Sequence, residues 1–357
     1  MIEPFRIDVP QADLDDLADR LARTRWPDEL PDAGDDYGLP LRRMRDLVEH
    51  WRTAYDWRKH EARLNELPQY TTEIDGQRVH FVHVRSANPD ALPLILTHGW
   101  PGSFLEFVPL IEHLAHTFHL VIPSIPGFGF SGPTHEGGWG FERVAKTWAT
   151  LMDRLGYDRY GAQGGDWGSV ISRELARIAP GHVVGVHLNY LPTPPIPGLE
   201  LSGQDEIRMG KIKALLAERP AFQTLMATTP QSIAYGLHDS PTALLAWIGE
   251  RFDEWADPAS KLSDDDLLTN VSLYWLTGTA NSASRLRKES TNPAPTCDVP
   301  IGVAVLPQDI TQAVRPIVEQ TYQVVQWTEF DRGGHFAALE VPDLLAADIT
   351  SFFTKLK

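Results

Sequence analysis

The chain has 357 residues, 42% of them hydrophobic, which is enough for one large catalytic domain or two smaller ones, each with a buried core. A formal net charge of -16 at pH 7 argues against nucleic-acid and anionic-membrane partners, because such partners favour a basic face. The single cysteine, Cys297, excludes an internal disulfide and a cysteine-rich zinc site.

The N-terminus is acidic and has no apolar run, so we expect no secretion signal. No stretch reaches the roughly 20 apolar residues of a membrane helix. With one cysteine, these features predict a soluble protein of the cytoplasm. The sequence leaves a homodimer open.

Residues 1–69 are predicted to form a helical meander. Leu14, Leu17 and Leu21 recur at helical spacing until Pro27 interrupts the pattern. A second amphipathic stretch begins at Leu41, after a segment rich in Pro, Gly and Asp. Both stretches are apolar on one side, which is typical of helices that lie on a larger body.

Residues 70–191 change to the pattern of a sheet covered by helices. The stretch YTTEIDGQRVHFVHV alternates around Asp75 and Gly76, which predicts a β-hairpin. LPLILT and FHLVIP are short apolar runs that end in glycine-rich loops, as buried parallel strands do. Helical stretches separate the later strands, so we expect a doubly wound, mostly parallel α/β sheet.

Residues 192–290 begin with a proline-rich break and are mostly helical from residue 199, which predicts an inserted helical lid. Residues 291–357 return to the sheet with VPIGVAVLP and YQVVQWTEF and close with an amphipathic helix. The sheet is therefore predicted to be interrupted once, by the lid.

The stretch GAQGGDWGS, residues 161–169, places Asp166 at a glycine-framed turn between a predicted strand and a predicted helix. A hydrolase nucleophile in an α/β sheet occupies such a turn. An aspartate at that position is also a good helix N-cap, but a cap does not need glycines on both sides. We therefore interpret Asp166 as a nucleophile.

Two further polar residues follow predicted strands, and both complete the chain order of a hydrolase triad. Asp309 follows VPIGVAVLPQ, and His335 follows a strand and a Gly-Gly pair. The loop HGWPGS, residues 98–103, follows the strand LPLILT, where an oxyanion-binding loop is expected. We expect the backbone N–H groups of Trp100 and Trp167 to bind the oxyanion.

A carboxylate nucleophile is ionised at neutral pH and can attack a saturated carbon without a base. The product is an ester with the protein, which water must then cleave. His335 is the expected general base of that step and Asp309 the residue that orients it. Opening of an epoxide and hydrolysis of a carbon–halogen bond both use this chemistry.

The chain resembles the microsomal-type epoxide hydrolases and their juvenile-hormone and bacterial relatives. The resemblance covers nearly the whole chain and rests on the blocks PFRIDVPQADLDDLADRLARTRWPDE, HGWPGS, PGFGFSG, GGDWGS, LHDSPTALLAWI, DDLLTNVSLYWLTGT and GGHFAALE. It implies an α/β-hydrolase fold, Asp166 as nucleophile and His335 as base. It also implies Asp309 as the acid, at a position where relatives carry Asp or Glu.

One part of the family pattern is missing from the lid. Relatives use two lid tyrosines to bind and protonate the departing oxygen, and the matching positions here hold Phe222 and Arg287. Tyr235 is the nearest tyrosine, and Arg287 is a cation that cannot readily give up a proton. Either residue could replace a lid tyrosine. The alternative for Tyr235 is a packed helix residue, and the alternative for Arg287 is a solvated surface residue.

The sequence therefore predicts an epoxide hydrolase that forms a vicinal diol through an aspartyl ester. Aromatic lid residues such as Phe222 and Trp247 favour a bulky apolar substrate. The altered lid favours an activated or specialised epoxide, such as a biosynthetic intermediate of a natural product. A haloalkane dehalogenase and a hydrolase-fold binding protein without turnover are the alternatives, and we expect no metal or organic cofactor.

Overall fold

The computed structural model describes residues 1–218, 220–260, 262–290 and 296–356. Within these ranges nine strands form one sheet in the order β1-β2-β3-β5-β4-β6-β7-β8-β9. The strands are β1 (Ile2–Phe5), β2 (Gln69–Ile74), β3 (Gln77–Val84), β4 (Leu92–Thr97), β5 (Phe118–Pro123), β6 (Tyr160–Gly164), β7 (Val183–Leu188), β8 (Ile301–Val305) and β9 (Val324–Glu329).

The α-helices of the described ranges lie before the sheet, between its strands and after it. They are α1 (Gln11–Ala22), α2 (Leu41–Thr53), α3 (Trp57–Leu64), α4 (Val108–Leu114), α5 (Phe141–Arg154), α6 (Asp166–Ile178), α7 (Gln204–Glu218), α8 (Ala221–Thr228), α9 (Pro230–Asp239), α10 (Pro241–Trp255), α11 (Asp264–Thr277), α12 (Ala280–Glu289), α13 (Arg315–Val318), α14 (Ala337–Glu340) and α15 (Pro342–Thr354). Helices α7 to α12 fall between β7 and β8, where the lid is predicted.

The sheet is parallel from β5 through β9 and antiparallel at its first three strand pairs. The predicted hairpin is present: Asp75 and Gly76 link β2 to β3, with φ angles of 53° and 71°. Two neighbouring positive φ angles suit the tight turn of a twisted hairpin. The predicted doubly wound, mostly parallel sheet is confirmed.

Apolar side chains bury both faces of the sheet. On one face Trp148 of α5 and Ile171 of α6 join the same core as Val186 of β7. On the other face Leu110 of α4 and Ile349 of α15 join a core that includes Leu94 of β4. Helices therefore cover the sheet on both sides, and the carboxyl ends of its parallel strands remain free to carry polar residues.

The first strand was missed by the sequence analysis, which predicted only helices before residue 70. β1 is four residues long and pairs antiparallel with β2 at the edge of the sheet. Its Pro4 lacks a backbone N–H group, which an edge strand tolerates. So short a strand has no alternating pattern that could predict it.

The division of the chain into four segments stays a prediction. Its boundary between residues 290 and 291 adjoins residues 291–295, which lie outside the described residues. None of the helices in the described ranges combines the length and the apolar character needed to cross a bilayer.

Candidate active site

Asp166 lies on a sharp turn between β6 and α6, and its φ angle is 44°. A Cβ atom on Gly164 would lie 2.3 Å from the carbonyl of Gly168, and one on Gly168 would lie 1.8 Å from the carbonyl oxygen of Thr97. Only glycine fits these two positions, because the strand, the turn and the neighbouring strand pass too close for a side chain. The glycine frame therefore forces Asp166 into its strained, partly buried position at the turn.

The carboxylate of Asp166 is held by the loop that follows β4. The backbone N–H of Trp100 donates a hydrogen bond of 2.8 Å to its Oδ1 atom. Gly99 makes this approach possible, because a Cβ atom there would lie 2.2 Å from the same oxygen. Trp167 is the next residue of α6, so its N–H is among the free donors of the first helical turn.

His335 joins Asp166 to Asp309. Its Nδ1 atom lies 2.7 Å from Oδ1 of Asp309, and its Nε2 atom lies 3.6 Å from Oδ2 of Asp166. The side chains of His335 and Asp309 are each 3% exposed. The backbone N–H of Ile310 donates a second hydrogen bond, of 2.7 Å, to Oδ1 of Asp309. The structure thus brings together the three residues that the sequence singled out.

The loop that carries His335 is fixed from two sides. Gly333 has a φ angle of 100°, which favours glycine. The backbone N–H of His335 donates a hydrogen bond of 2.9 Å to the carbonyl oxygen of Trp255 at the end of α10. The lid helix therefore takes part in placing the imidazole.

The protonation of His335 depends on the two carboxylates beside it. Burial alone would lower its pKa, but Asp309 and Asp166 together raise the pKa of His335 to about 10. The imidazole is therefore protonated at neutral pH while Asp166 is a free carboxylate. If Asp166 becomes an ester, one of the two charges disappears and the pKa of His335 falls.

Aromatic side chains cover the loop in front of Asp166. The ring of Trp100 stacks on Phe222 at 5.5 Å and on Trp167 at 6.3 Å between centroids. Trp247 and Trp255 approach the same ring edge-on at 6.2 Å and 6.3 Å. Phe222 and Trp247, predicted to line the substrate pocket, therefore lie next to the residue that binds Asp166.

One polar atom of this aromatic wall has no partner. The indole Nε1 of Trp247 is buried and makes no hydrogen bond within the described part of the chain. A buried N–H group is normally paired, so this one needs an explanation.

The structure contradicts the suggestion that Tyr235 replaces a lid tyrosine. Tyr235 is 70% exposed. Its helix α9 buries Pro230, Ala234 and Leu237, which share one face at helical spacing. Tyr235 follows Ala234 by one residue and is turned away from that face, to the solvent.

Arg287 is half-buried on α12, and α12 packs against α8, which carries Phe222. Among the described residues it forms no ion pair with Asp166 or any other carboxylate. The two positions that the family fills with tyrosine thus lie on neighbouring lid helices.

Sequence analysis missed two residues beside the triad. The ring of Tyr190, just after β7, lies edge-on to the imidazole of His335 at 5.3 Å between centroids. Glu106, on the short 3-10 helix Phe104–Phe107, lines a small cavity together with Asp166 and His335. Burial raises the pKa of Glu106 to about 8, against the opposing effect of His335 and with a smaller contribution from the charge of Asp166. The sequence holds one weak signal for Glu106, its position three residues after Ser103.

Lid helix α11 clamps the loop at residues 101–103. The side-chain amide of Asn270 donates a hydrogen bond of 2.8 Å to the carbonyl oxygen of Pro101, and the Ser103 hydroxyl donates one of 2.8 Å to Asn270. The hydroxyl of Tyr274 donates a bond of 2.7 Å to the carbonyl oxygen of Gly102. This buried network holds the backbone that presents the Trp100 N–H to Asp166.

The cavity beside Asp166 is small. It leaves about 10 Å³ for the centre of a water molecule. A groove of about 950 Å³ between residues 16–44 and the start of α10 shares none of its lining residues. Among the described residues no group of three or more His, Cys, Asp or Glu is arranged to hold a metal ion.

Comparison with known proteins agrees with this geometry. Residues 2–107 match the family described as epoxide hydrolase N terminus, and residues 93–207 match the family described as alpha/beta hydrolase fold. The chain is 44% identical to a protein of Stigmatella aurantiaca (strain DW4/3-1) named "Putative epoxide hydrolase", over 100% of this chain and 86% of that protein. It is 33% identical to epoxide hydrolase 1 of Sus scrofa, over 100% of this chain and 89% of that protein.

A solved structure has the same fold over the whole chain. The epoxide hydrolase of Aspergillus niger superposes with a TM-score of 0.93 at 34% identity, over 100% of this chain and 97% of that one. The predicted α/β-hydrolase fold is thereby confirmed.

Proposed function

The chain belongs to the epoxide hydrolase family and is an enzyme that hydrolyses epoxides, and we propose that it does so through a covalent ester on Asp166. The observation that carries this proposal is the orientation of one carboxylate. Oδ1 of Asp166 is bound by the Trp100 N–H, and Oδ2 faces Nε2 of His335 at 3.6 Å. One oxygen is thus held in place while the other is free to react.

In the first half-reaction, Oδ2 of Asp166 attacks a ring carbon of the epoxide. A carbon–oxygen bond forms to the enzyme, and the ring carbon–oxygen bond breaks to leave an alkoxide. The alkoxide gains one proton and His335 loses one, through solvent, so the proton count of the site is unchanged. His335 becomes a base because the ester no longer carries the charge of Asp166.

In the second half-reaction, water attacks the carbonyl carbon of the ester while Nε2 of His335 takes one of its protons. Oδ1 becomes the oxyanion, bound by the N–H of Trp100 and of Trp167. The tetrahedral intermediate collapses to release the diol, and His335 returns a proton to the departing alcohol oxygen. The proton left on Asp166 passes to His335, and Asp309 stabilises the imidazolium.

For the leaving oxygen we propose the indole N–H of Trp247. This N–H is buried and has no partner among the described residues, and its ring packs edge-on against Trp100, whose backbone N–H binds the nucleophile. An indole donates a hydrogen bond but does not give up its proton at neutral pH, so it assists less than a phenol. Arg287 remains the alternative donor.

A Trp247→Phe variant tests this role. We expect the formation of the ester to slow by about tenfold, as one hydrogen bond to a charged group is lost, while hydrolysis of the ester keeps its rate. Trp275→Phe is the control, because the ring of Trp275 lies under Arg20, away from the triad. Equal rates of ester formation in wild type and Trp247→Phe would leave Arg287 as the donor to examine.

An indole assists the leaving oxygen less than a phenol does, and this supports a substrate whose epoxide ring is already activated for opening. An epoxide next to an aromatic ring or a carbonyl group opens more readily, and the wall of Phe222, Trp247 and Trp255 suits a bulky apolar group. We therefore propose a specialised epoxide, such as an intermediate of natural product biosynthesis. We also propose a cytoplasmic location, which the single cysteine supports, and leave the homodimer as a prediction.

Isotope labelling tests the covalent mechanism. In a single turnover of styrene oxide in ¹⁸O-water, the first diol should carry no label, because its new oxygen derives from Asp166. A fully labelled first diol would instead mean direct attack by water. In His335→Gln the ester should accumulate and appear as added mass on the peptide that contains Asp166.

The same assays decide between the proposal and its alternatives. Chloride release from haloalkanes, with styrene oxide and stilbene oxide left intact, would favour a dehalogenase. Binding of intact epoxide without ester or diol would favour a binding protein.

A further inference from the structure

Glu106 places a third acidic group at the reaction centre, beyond those of the triad. It lines the cavity beside Asp166 and His335, whereas Asp309 does not line that cavity and contacts Nδ1 of His335. The cavity has room for the centre of one water molecule, about 10 Å³. Its polar lining consists of Asp166, His335, Glu106 and Asn189. A water there would lie between the base and the ester that it must attack.

The backbone beside this carboxyl is shaped to make room for it. A Cβ atom on Gly102 would lie 1.3 Å from Oε1 of Glu106. Gly102 does not have a positive φ angle, so its conformation does not require glycine. Glycine at position 102 therefore leaves the space that the Glu106 carboxyl occupies.

A structural role for Glu106 must be separated from a chemical one. Ser103 caps the 3-10 helix by accepting a hydrogen bond from the N–H of Leu105, and the backbone of Ser103 in turn hydrogen-bonds the Glu106 carboxyl. This arrangement resembles a capping box, which Glu and Gln both complete, although the Ser103 hydroxyl accepts from the N–H of Leu105 and not from that of Glu106. A cap alone does not require the carboxyl to line a cavity with the nucleophile and the base.

The charge state of Glu106 suits contact with water. Burial and Asp166 raise its pKa to about 8, while His335 and the Ser103 backbone lower it by less. Burial is the largest of these causes and persists in the ester, where Asp166 no longer carries a charge, so the carboxyl is protonated at neutral pH, with one oxygen that accepts and one O–H that donates a hydrogen bond. A water whose first proton goes to His335 has its second proton free for that accepting oxygen.

We propose that Glu106 is a further catalytic residue, whose carboxyl group holds the water that hydrolyses the Asp166 ester. This inference rests on the proposed function, because it concerns the second half-reaction alone. We expect Glu106 to take no part in the attack on the epoxide, because that step uses no water.

The experiment separates the two half-reactions by single-turnover quench with styrene oxide, following ester and diol. In Glu106→Leu the ester should form within about threefold of the wild-type rate and disappear tenfold to a hundredfold more slowly, as when a positioned group is lost. Glu106→Gln has an amide oxygen that can still accept a hydrogen bond, so its rate of ester hydrolysis should lie between those of wild type and Glu106→Leu. Glu112→Leu is the matched control, because Glu112 of α4 is 79% exposed and does not line the cavity, so both rates should stay at the wild-type value. Ser103→Ala breaks the cap from its other side but also removes a hydrogen bond to Asn270, so it serves only to measure how far loss of the cap lowers the melting temperature.

Gly102→Ala provides a second, independent variant. Its methyl group should displace the flexible Glu106 carboxyl at little expense of stability, and so slow ester hydrolysis as Glu106→Leu does. The double variant should be no slower than either single one, because both remove the same contact.

Each outcome bears on a different claim. Ester hydrolysis at the wild-type rate in Glu106→Leu would overturn the role of Glu106 and leave the covalent mechanism intact. If Glu106→Leu slows both half-reactions equally and lowers the melting temperature as much as Ser103→Ala does, Glu106 belongs to the cap alone. If wild type forms neither ester nor diol from styrene oxide and stilbene oxide, the proposed mechanism fails and Glu106 loses its role with it.

Discussion

The sharp turn at Asp166 depends on neighbouring glycines, which have no Cβ atom. Gly168 touches the backbone of Thr97, and a backbone atom cannot move aside as a side chain can. We expect Gly168→Ala to lower the free energy of unfolding by about 3 kcal/mol or more and to abolish ester formation.

Gly210→Ala is the matched control for that change. Gly210 lies on the exposed side of α7 with nothing within 4 Å of its added methyl group. Alanine should stabilise this helix by about 0.5–1 kcal/mol. Urea unfolding of both variants measures the contrast, and a stable, active Gly168→Ala protein would contradict the geometry described for the turn.

The charge of Asp309 sets the pH at which His335 becomes a base. Asp309 and Asp166 raise the pKa of His335 to about 10 in the free enzyme, and in the ester only Asp309 still does so. Hydrolysis of the ester requires neutral imidazole, so its rate should rise with pH. Removing the Asp309 charge lowers the pKa of His335, and the rise should move to lower pH.

We therefore expect Asp309→Asn to shift the acid limb of ester hydrolysis to lower pH and to slow the step by about 10³-fold, because the imidazolium loses its partner. Asp309→Glu keeps the charge and should keep the position of the limb. Single-turnover rates between pH 5 and pH 9 measure both. A limb that stays in place or moves to higher pH in Asp309→Asn would contradict the assignment.

At the scale of elements, helix α8 contributes the side chain of Phe222 to the aromatic cluster around Trp100. Phe222 stacks on Trp100 at 5.5 Å, and Arg251 lies over the outer face of its ring at 4.7 Å. This layer of side chains closes the space in front of Asp166. We expect the epoxide to reach Asp166 past Phe222, so that the size of this residue limits the size of the substrate.

We expect Phe222→Ala to raise kcat/KM for stilbene oxide relative to propylene oxide by about tenfold, because the bulky substrate gains the vacated volume. Gln223→Ala, at the exposed neighbouring position of α8, is the control. Diol formation from the two epoxides measures the ratio. An unchanged ratio in Phe222→Ala would place the entrance elsewhere in the lid.

At the scale of the whole molecule, the N-terminal segment forms ion pairs with the lid. Arg43 of α2 binds Asp253 of α10 at 3.0 Å and Asp264, at the start of α11, at 2.7 Å. Two nitrogens of the guanidinium contact the two oxygens of Asp264, the geometry that makes arginine pairs strong. The neighbouring Arg42 is 94% exposed and lies 4.0 Å from Asp46 within its own helix.

Arg43→Ala should lower the free energy of unfolding by about 1 kcal/mol and speed amide hydrogen exchange in α10 and α11, since it removes a tie between two parts of the chain. Arg42→Ala should leave both within error. Equal behaviour of the two variants would show that packing alone holds the lid in place.

The sequence could predict the triad because each member follows an apolar strand, and strand ends of a parallel sheet meet at one edge. It could not place Tyr235, because only the buried face formed by Ala234 and Leu237 shows which way α9 is turned. It also missed Glu106, whose neighbours Leu105 and Phe107 suggest an ordinary apolar turn. Its contact with the cavity depends on the space left by Gly102, which is a tertiary feature.

The hydrogen bond from Trp100 gives the two oxygens of the nucleophile different fates. Oδ2 departs with every product and is replaced from solvent, whereas Oδ1 stays in its N–H cradle through each cycle. An enzyme molecule that has worked for hours therefore still carries one carboxylate oxygen acquired when the chain was synthesised. Exhaustive turnover in ¹⁸O-water should therefore replace one of the two carboxylate oxygens of Asp166 and leave the other unlabelled.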